Sequence, residues 1–451
     1  MQLLREAEHL YEEVTAAGEG SKAGFSLQEV YGGAGAPRQR EASEGNGAPE
    51  ASGRVYAGDN SQVMAELLAQ GYGGRFQLIY MDPPFYSKAD YKVNISLRSQ
   101  DREVKVKKTA YRDSWDQGFS QYLRMIALRI MLARDLLSDQ GCLWVHLDWH
   151  AAHYVKLLLD EIMGEDNFVN EVIWCYKSGG ATKRRFSRKH DTLLFYGKTR
   201  KYYFKPLQEK SYNRGLKPYA FKGVKEYQDE KGWYTLVNMK DVWNIDMVGR
   251  TSSERVGYAT QKPEALIQRI VESCSREGDL CADFFGGSGT FGAVCGKMGR
   301  KWICADKGQL AIAAMRKRFA SSGLDFEIYS AGGVDWRLCG RDQDGELNQD
   351  QDLMKYIDVK LKEDKKNKKD KKSKILTFTS REAPGETLHP LETLDFWSLD
   401  TCHKGKEHKS FLHFTRDKHK LNLEVELTEF GEEMEVLAVD VFGHVGRWKV
   451  R

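Results

Sequence analysis

Features that would define several classes of protein are missing from this chain. No apolar run is long enough to cross a bilayer, and the N-terminal MQLLREAEHLYEEV is charged throughout, so neither a membrane span nor a signal peptide is expected. The eight cysteines are scattered and form no C-x-x-C pair, which argues against a zinc site and a disulfide framework. We therefore expect a cytoplasmic protein with reduced thiols and no metal site.

A large net charge of one sign is also absent. The 69 Lys and Arg residues nearly balance 65 Asp and Glu residues, which leaves a formal net charge of +4. Any affinity for nucleic acid must therefore come from local basic patches. With 451 residues, of which 41% are hydrophobic, the chain is long enough for one large domain and a smaller one.

Proline is scarce, with nine in the chain, yet Pro83 and Pro84 are adjacent. They follow the apolar residues 78–80, which predict a short buried strand that must end where proline lacks an N–H group. Asp82 precedes the prolines and Phe85 follows them. A carboxylate, stiff carbonyl groups and an aromatic ring in one loop predict a receptor for a flat molecule that carries an amine.

Alternating strands and helices predict the fold class. Residues 121–137 and 152–164 have the periodicity of amphipathic helices, whereas 142–148, 170–176 and 191–197 are typical of strands. This alternation favours an α/β fold with a mostly parallel sheet and helices on both faces.

Composition divides the chain into three parts. Residues 1–53 are expected to be an N-terminal extension that ends in a flexible linker over 31–53. Residues 54–330 carry the α/β pattern, and 331–451 are expected to form a small β-rich domain. Within it, Lys-rich 362–374 is predicted to be a solvated hairpin tip, with a nucleic-acid arm as the alternative.

A glycine-rich motif stands late in the chain. Within 280–306, an apolar strand leads into a glycine turn and a helix, and a second strand ends at Asp306. Glycines let a backbone approach a ligand, and an acid at the tip of the next strand suits ribose hydroxyls. Gly287, Gly289 and Gly292 also match G-x-G-x-x-G, so a nicotinamide or flavin enzyme and a turn that only packs a helix are both alternatives.

A third motif precedes the glycine turn. In residues 258–271, Pro263 is placed near a helix start and Thr260 is expected to be the N-cap. Lys262 would lie beside the first helical turn, where its ammonium group can meet a carboxylate. A well-capped surface helix is the alternative.

Together the three motifs resemble a known family. DPPF at 82–85, TQKP at 260–263 and DFFGGSGT at 283–290 are similar to the signatures of DNA amino-methyltransferases. The catalytic motif comes first and the cofactor motif late, as in the permuted β class, which includes type III modification subunits and solitary adenine methyltransferases. The resemblance covers roughly residues 54–320. One departure is Phe284, where the family usually has proline, which predicts a looser loop.

The resemblance implies a Rossmann-like methyltransferase fold that binds S-adenosylmethionine across the carboxyl edge of its sheet. Asp306 would accept from the ribose hydroxyls, Lys262 would meet the methionine carboxylate, and Asp59 is the candidate acceptor for the adenine amine. The glycine turn would supply the remaining cofactor-binding residues: Asp283, Phe284, Phe285, Gly286, Gly287, Ser288, Gly289 and Thr290.

It also implies an acceptor chemistry. Asp82 and the Pro83 carbonyl would accept the two N–H bonds of an exocyclic amine and stabilise the charge that grows on its nitrogen. Pro84 would stiffen the loop, and Phe85 would stack on a base that must be flipped out of the duplex. Transfer would be a direct displacement without a metal or a covalent enzyme intermediate.

Target recognition is expected elsewhere. Residues 200–257, rich in aromatic and basic side chains, occupy the place of the family's target-recognition region, and the insertion 88–114 is expected to close over DNA. The loop 183–190 gathers basic side chains around Phe186. The expected phosphate contacts are Lys183, Arg184, Arg185, Arg188 and Lys189.

The expected reaction is N6 methylation of adenine in double-stranded DNA. Asp82 favours adenine, because serine is commoner at this position in cytosine-N4 enzymes. Cytosine N4 and RNA remain alternative targets, and a nicotinamide-dependent oxidoreductase or a DNA-binding protein with a decayed site remain alternative functions. A restriction subunit as partner and a homodimer are further expectations from the resemblance.

Overall fold

A computed structural model describes most of the chain. It covers residues 2–20, 24–32, 51–99, 102–116, 118–178, 182–249, 251–331, 353–363, 373–380, 389–417, 420–428 and 430–451. The helices are α1 Gln2–Gly20, α2 Asn60–Leu67, α3 Gly118–Leu136, α4 Ala152–Met163, α5 Glu264–Cys274, α6 Thr290–Lys297, α7 Gln309–Ser321, α8 Leu353–Tyr356 and α9 Pro390–Thr393. Short helical turns are Leu68–Tyr72, Glu165–Asn167 and Arg214–Leu216.

The strands are numbered in chain order. The first twelve are β1 Phe25–Tyr31, β2 Gly53–Ala57, β3 Phe76–Met81, β4 Asp90–Ser99, β5 Arg102–Arg112, β6 Leu137–Leu147, β7 Phe168–Cys175, β8 His190–Gly197, β9 Gln208–Tyr212, β10 Glu226–Asp229, β11 Gly232–Asn238 and β12 Val242–Asn244. The others are β13 Leu280–Asp283, β14 Lys301–Asp306, β15 Phe326–Ala331, β16 Ile357–Glu363, β17 Lys374–Ser380, β18 Leu394–Asp400, β19 His408–Ser410, β20 Leu412–Thr415, β21 Glu424–Leu427, β22 Met434–Asp440 and β23 Val445–Val450.

One sheet of eleven strands dominates the molecule, in the order β12-β7-β8-β6-β3-β13-β14-β2-β15-β1-β19. The central strands β6, β3, β13, β14 and β2 are parallel to their neighbours within this group. Among the described strands of this sheet, antiparallel pairing is confined to β8 with its two neighbours and to β1 with β15. The predicted mostly parallel sheet is therefore confirmed.

Helices cover both faces of this sheet, as predicted. Along β3, Leu78 and Tyr80 belong to the apolar layer that contains α5, α6 and α7. The alternate residues Ile79 and Met81 belong to the layer that contains α2, α3 and α4. Because both faces of β3 are buried, its residues are apolar at every position except Gln77 and do not alternate with polar ones.

The N-terminal residues differ from the expected extension. Helix α1 packs on α2 and α3 with Ala7 fully buried, and β1 joins the main sheet between β15 and β19. Sequence reasoning missed β1 because the strand contains the charged residue Glu29. The carboxylate of Glu29 can be buried because it pairs with Arg316, which lies 287 residues later in the chain. Residues 33–50 of the expected linker lie outside the described part of the chain.

The C-terminal region is β-rich, as predicted, and forms the small sheets β16-β17-β21 and β20-β18-β22-β23. It also shares structure with the α/β body. Strand β19 pairs with β1 at the edge of the main sheet, and Phe396, Leu437 and Val439 belong to the same apolar layer as α5 to α7. Residues 364–372 of the expected Lys-rich hairpin tip lie outside the described residues.

Two insertions adopt β structure. Residues 88–114 contain the antiparallel hairpin of β4 and β5. Within 200–257, β9, β10 and β11 form a separate three-stranded sheet, while β12 extends the main sheet. Across the described residues, no helix combines the length and the apolar character needed to span a membrane.

Candidate active site

The three sequence motifs converge at the carboxyl edge of the main sheet. Asp82 directly follows β3, Asp283 ends β13 and Asp306 ends β14. These three strands are parallel and adjacent, so their carboxyl ends open on the same side. They border a cavity of about 470 Å³, which is in the usual size range for small-molecule sites.

The cavity brings together nearly all of the predicted catalytic and cofactor-binding residues. Those that line it are Asp59, Asp82, Pro83, Pro84, Phe85, Lys262, Asp283, Phe284, Phe285, Gly286, Gly287, Ser288, Thr290 and Asp306. Gly289 is buried and does not line the cavity. None of the five basic residues of the loop 183–190 contributes to the lining.

The glycine turn is shaped by backbone that other residues rarely adopt. Gly287 and Gly289 have φ values of +48° and +72°. A Cβ atom on Gly289 would also lie 2.8 Å from Met315 Cγ, so the turn packs directly on α7. The sequence predicts a looser loop at Phe284. In the structure, Phe284 is instead fully buried in the core, and the Gly286 N–H donates to the Ala305 carbonyl at 2.9 Å.

Asp82 and Lys262 form an ion pair inside the cavity. The Lys262 ammonium group donates to Asp82 Oδ2, and the two side chains are only 18% and 10% exposed for Asp82 and Lys262. Asp82 Oδ1 is buried and has no hydrogen-bond partner among the described residues. The predicted meeting of Lys262 with a carboxylate thus occurs with the Asp-Pro-Pro-Phe motif itself. A contact of Lys262 with the methionine carboxylate stays a prediction.

The expected N-cap was wrong. Pro263 is the N-cap residue of α5, whereas Thr260 has a φ of +57° and donates its hydroxyl to the Ala259 carbonyl. The first helical N–H, that of Glu264, donates instead to Glu254 Oε2 at 3.1 Å. Sequence reasoning missed this because the capping carboxylate comes from the preceding loop.

The carboxyl groups of Asp283 and Asp306 are buried in the wall of the cavity. Burial raises the pKa of Asp283 to about 8, and the nearby Asp82 and Asp306 carboxylates add to the rise. Burial also raises the pKa of Asp306, although the N–H groups of Gly308 and Gly287 donate to its carboxylate and oppose the rise. A buried group of acids favours a ligand that carries positive charge.

Asp59 is already engaged by protein groups. Its carboxylate caps α2 by accepting from the Ser61 N–H at 2.9 Å, and it pairs with Arg129 at 3.1 Å. Burial would raise the pKa of Asp59, but the Arg129 charge and the Ser61 hydrogen bonds outweigh burial and lower it. An adenine amine that binds Asp59, as predicted, would therefore have to share its carboxylate with the Ser61 N–H that it caps.

Asp113 is the main residue that sequence reasoning missed. Its side chain is fully buried and accepts from the N–H groups of Phe85 at 3.1 Å, Tyr86 at 2.9 Å and Ser87 at 2.6 Å. Tyr86 and Lys88 both have φ near +60°, at 61° and 59°, a conformation that costs free energy outside glycine. Asp113 therefore holds the loop after the prolines in a conformation that it would not adopt alone.

A buried polar chain lies behind Phe85. The Phe85 ring stacks on His146 with centroids 5.8 Å apart, and the Tyr80 hydroxyl lies 2.8 Å from His146 Nδ1. His146 Nε2 lies 3.2 Å from an Asp191 oxygen, and Tyr176 donates to the other oxygen at 3.0 Å. These contacts fix the position of Phe85 from below.

The basic loop 183–190 lies on the same edge of the sheet as the cavity. It belongs to the connection between β7 and β8. Because β8 is antiparallel to both β6 and β7, the start of β8 and the end of β7 lie beside the carboxyl end of β6. The Arg188 guanidinium lies 3.4 Å from the ring centroid of Trp149, and Lys189 Nζ donates to Ser178 Oγ at 2.8 Å. The side chains of Lys183, Arg184 and Arg185 are exposed. Their contact with phosphates stays a prediction.

Comparisons with known proteins identify the family of the chain. Residues 76–317 match a family model described as DNA methylase, for N6 and N4 methyltransferases. The type II methyltransferase M.EcaI of Enterobacter cloacae is 28% identical over 323 residues, which cover 58% of this chain and 68% of that protein. The type II methyltransferase M2.DpnII of Streptococcus pneumoniae is 28% identical over 248 residues, which cover 53% and 81%.

Among solved structures, one match is TTHA0409, a putative DNA modification methylase from Thermus thermophilus complexed with S-adenosyl-L-methionine. It is 15% identical, has a TM-score of 0.41, and covers 62% of this chain and 98% of its own. A second is the PvuII DNA methyltransferase, titled cytosine-N4-specific, which is 15% identical with a TM-score of 0.40 and covers 60% and 89%.

Proposed function

This chain belongs to the DNA methylase family of N6 and N4 methyltransferases, and from that premise we propose that it methylates the N6 amine of an adenine flipped out of duplex DNA. S-adenosylmethionine is the methyl donor that family membership implies. The family sets aside the nicotinamide-dependent oxidoreductase that the G-x-G-x-x-G match left open. A cytoplasmic location, a restriction partner and a homodimer stay predictions.

One observation carries the proposal. The Asp-Pro-Pro-Phe loop after β3 and the glycine turn after β13 border the same cavity, because the two strands are neighbours in the sheet. A methyl carbon held at the glycine turn can therefore meet an amine held at Asp82. If the two motifs opened on opposite edges of the sheet, no such transfer would be geometrically feasible.

The residues present fit S-adenosylmethionine. When bound, this cofactor supplies a methyl carbon made electrophilic by its sulfonium centre. The buried acids suit its positive charges, and we assign its ammonium group to Asp283 and its ribose hydroxyls to Asp306. The turn at Gly287 and Gly289 leaves room for close backbone contact with the methionine end.

Asp82 is proposed to receive the target amine. Its Oδ1 oxygen is buried without a partner among the described residues, so it has unused capacity to accept an N–H bond. Lys262 holds the other oxygen and orients the carboxylate. An acceptor aimed at the amine stabilises the positive charge that develops on nitrogen during attack. Pro83 is assigned the second acceptor, its carbonyl, and Phe85 the face on which the base stacks.

Cytosine N4 is the second candidate target. Cytosine also presents an exocyclic amine next to a ring nitrogen, so the same carboxylate and carbonyl would serve it. Asp82 favours adenine because the resemblance associates serine with cytosine enzymes at this position. The adenine assignment therefore rests on Asp82, and identification of the methylated base tests it.

Methylation-sensitive long-read sequencing of DNA from cells that express the chain tests the proposal. We expect N6-methyladenine at one recurrent sequence motif, and no mark in cells that express Asp82→Ala. The matched control is Asp166→Ala, which removes a carboxylate that is 82% exposed and outside the cavity, and which should leave the marks unchanged. Detection of N4-methylcytosine instead would support the second candidate, cytosine N4. Unmodified DNA from cells that contain the stably folded protein would contradict both candidates.

A further inference from the structure

Phe186 stands out among the apolar side chains of the protein. It is 98% exposed, the highest value for any large apolar side chain in the described ranges. Single exposed apolar residues are common and need no explanation by themselves. The position of Phe186 and its neighbours are therefore what decide whether its exposure has a use.

The topology anchors the loop that carries Phe186 one strand away from the catalytic loop. Strand β6 is parallel to β3 and adjacent to it, and Trp149 stands two residues beyond the end of β6. Arg188, two residues after Phe186, stacks on Trp149 with its guanidinium 3.4 Å from the ring centroid. Neighbouring strands are about 4.8 Å apart, so the loop is anchored one strand away from Asp82.

The neighbours of Phe186 complement nucleic acid. The run TKRRFSRK, residues 182–189, contains five basic side chains and no acid. Lys183, Arg184 and Arg185 are exposed on one side of the phenylalanine in the sequence, and Arg188 lies on the other. Cations that contact phosphates on both sides of an apolar side chain would direct that side chain toward the base stack.

We propose that Phe186 enters the duplex and fills the space that the flipped target base leaves. This inference rests on the proposed function, since it requires that the base leaves the stack. Flipping breaks stacking and pairing, and an aromatic ring that stacks on the neighbouring bases recovers part of that loss. Arg188, fixed on Trp149, and the adjacent cations hold the loop against the backbone while the ring enters.

The test compares variants on two duplexes that differ in the cost of flipping. Short duplexes carry the motif returned by sequencing, one fully paired and one with a mismatch opposite the target base, which is easier to extrude. Single-turnover rates of methyl transfer from radiolabelled S-adenosylmethionine are measured for the wild type, Phe186→Ala and Phe186→Trp. Phe411→Ala is the matched control, because Phe411 is also exposed, at 43%, and belongs to the C-terminal region.

For Phe186→Ala we expect a rate about tenfold lower on the paired duplex and a return to within about twofold of wild type on the mismatched one. Phe186→Trp and Phe411→Ala should match the wild type on both. Equal losses on the two duplexes, or no loss on either, would overturn the inference. If the proposed function itself fails, the wild type will methylate neither duplex, so the two failures are distinguishable.

Discussion

Asp283 should make the affinity for S-adenosylmethionine depend on pH. Its pKa is raised to about 8, first by burial and then by the Asp82 and Asp306 charges, so at pH 7 roughly nine tenths of this carboxyl is protonated in the free protein. A positively charged ligand beside it favours the carboxylate. Binding should therefore expel the proton from Asp283.

The size of the effect follows from the pKa. Each pH unit below 8 adds roughly 1.4 kcal/mol to the cost of removing the proton before the ligand can use the carboxylate. Once the pH dependence shown by Asp283→Asn is divided out, the Kd for S-adenosylmethionine should be about tenfold weaker at pH 7, and about a hundredfold weaker at pH 6, than above pH 9. The sign of the Asp283 contribution is fixed, because the affinity of the wild type relative to Asp283→Asn must rise with pH until the free carboxyl has lost its proton.

Isothermal titration calorimetry measures this proton directly. At pH 7, titrations in two buffers of different ionisation enthalpy should show about 0.9 more proton released per ligand bound by the wild type than by Asp283→Asn. Asp283→Asn should release none from this site, while its amide oxygen can still accept the Phe285 N–H that Asp283 accepts at 2.9 Å. The ligand's own amino group titrates near pH 8 in both proteins, so the difference between wild type and variant is the quantity to compare.

The reasoning about Asp283 is refuted if the wild type and Asp283→Asn release the same number of protons. It is also refuted if the ratio of the wild-type Kd to the Asp283→Asn Kd stays constant between about pH 6 and 9.

The raised pKa of Asp283 also affects the stability of the protein without ligand. The stability that the protonated carboxyl contributes is fully present below its unfolded pKa near 4 and is lost as pH rises through about 8.

Three other predictions follow from single contacts. Asp82→Ala should lower kcat by roughly a hundredfold or more and leave the Kd for S-adenosylmethionine within about threefold, measured by steady-state kinetics and calorimetry; normal turnover would contradict the role given to Asp82. Asp113→Ala should lower the free energy of unfolding by about 1–3 kcal/mol in denaturant titrations and reduce kcat, because three N–H groups beside Phe85 lose their acceptor; an unchanged kcat would show that the loop keeps its shape without Asp113. Glu29→Gln should lower the free energy of unfolding by about 3–5 kcal/mol, because it leaves the buried Arg316 charge uncompensated, whereas a loss under about 1 kcal/mol would show that Arg316 finds another partner.

Some parts of the site could be predicted because they depend on single residues. Proline lacks an N–H group, so Pro83 and Pro84 had to end the strand before them. Glycine tolerates positive φ, and Gly287 and Gly289 adopt it at 48° and 72° in the turn where the sequence placed it. The end of α4 at Gly164, with a φ of 91°, has the same local cause.

The long apolar elements were predictable for a related reason. The periodicity of α3 and α4 and the apolar runs of β3 and β6 depend on the burial of one or both faces, which leaves a repeating pattern in the sequence. Where burial is achieved by charge compensation, as in β1, the pattern is lost. The buried Glu29 of β1 accepts a hydrogen bond from Arg316 at 2.8 Å. No residue close to Glu29 in the sequence indicates that Arg316 is its partner.

The sequence by itself therefore determined the chemistry of the motifs, because an acid, a proline pair and a glycine turn carry their properties wherever they lie. Only the tertiary structure decided which of these groups meet. Lys262 reaches Asp82 across 180 residues, and Asp113 reaches the N–H of Phe85 across 28. Such pairings depend on the order of strands in the sheet and on how the loops close, which are properties of the whole chain and leave no local pattern to read.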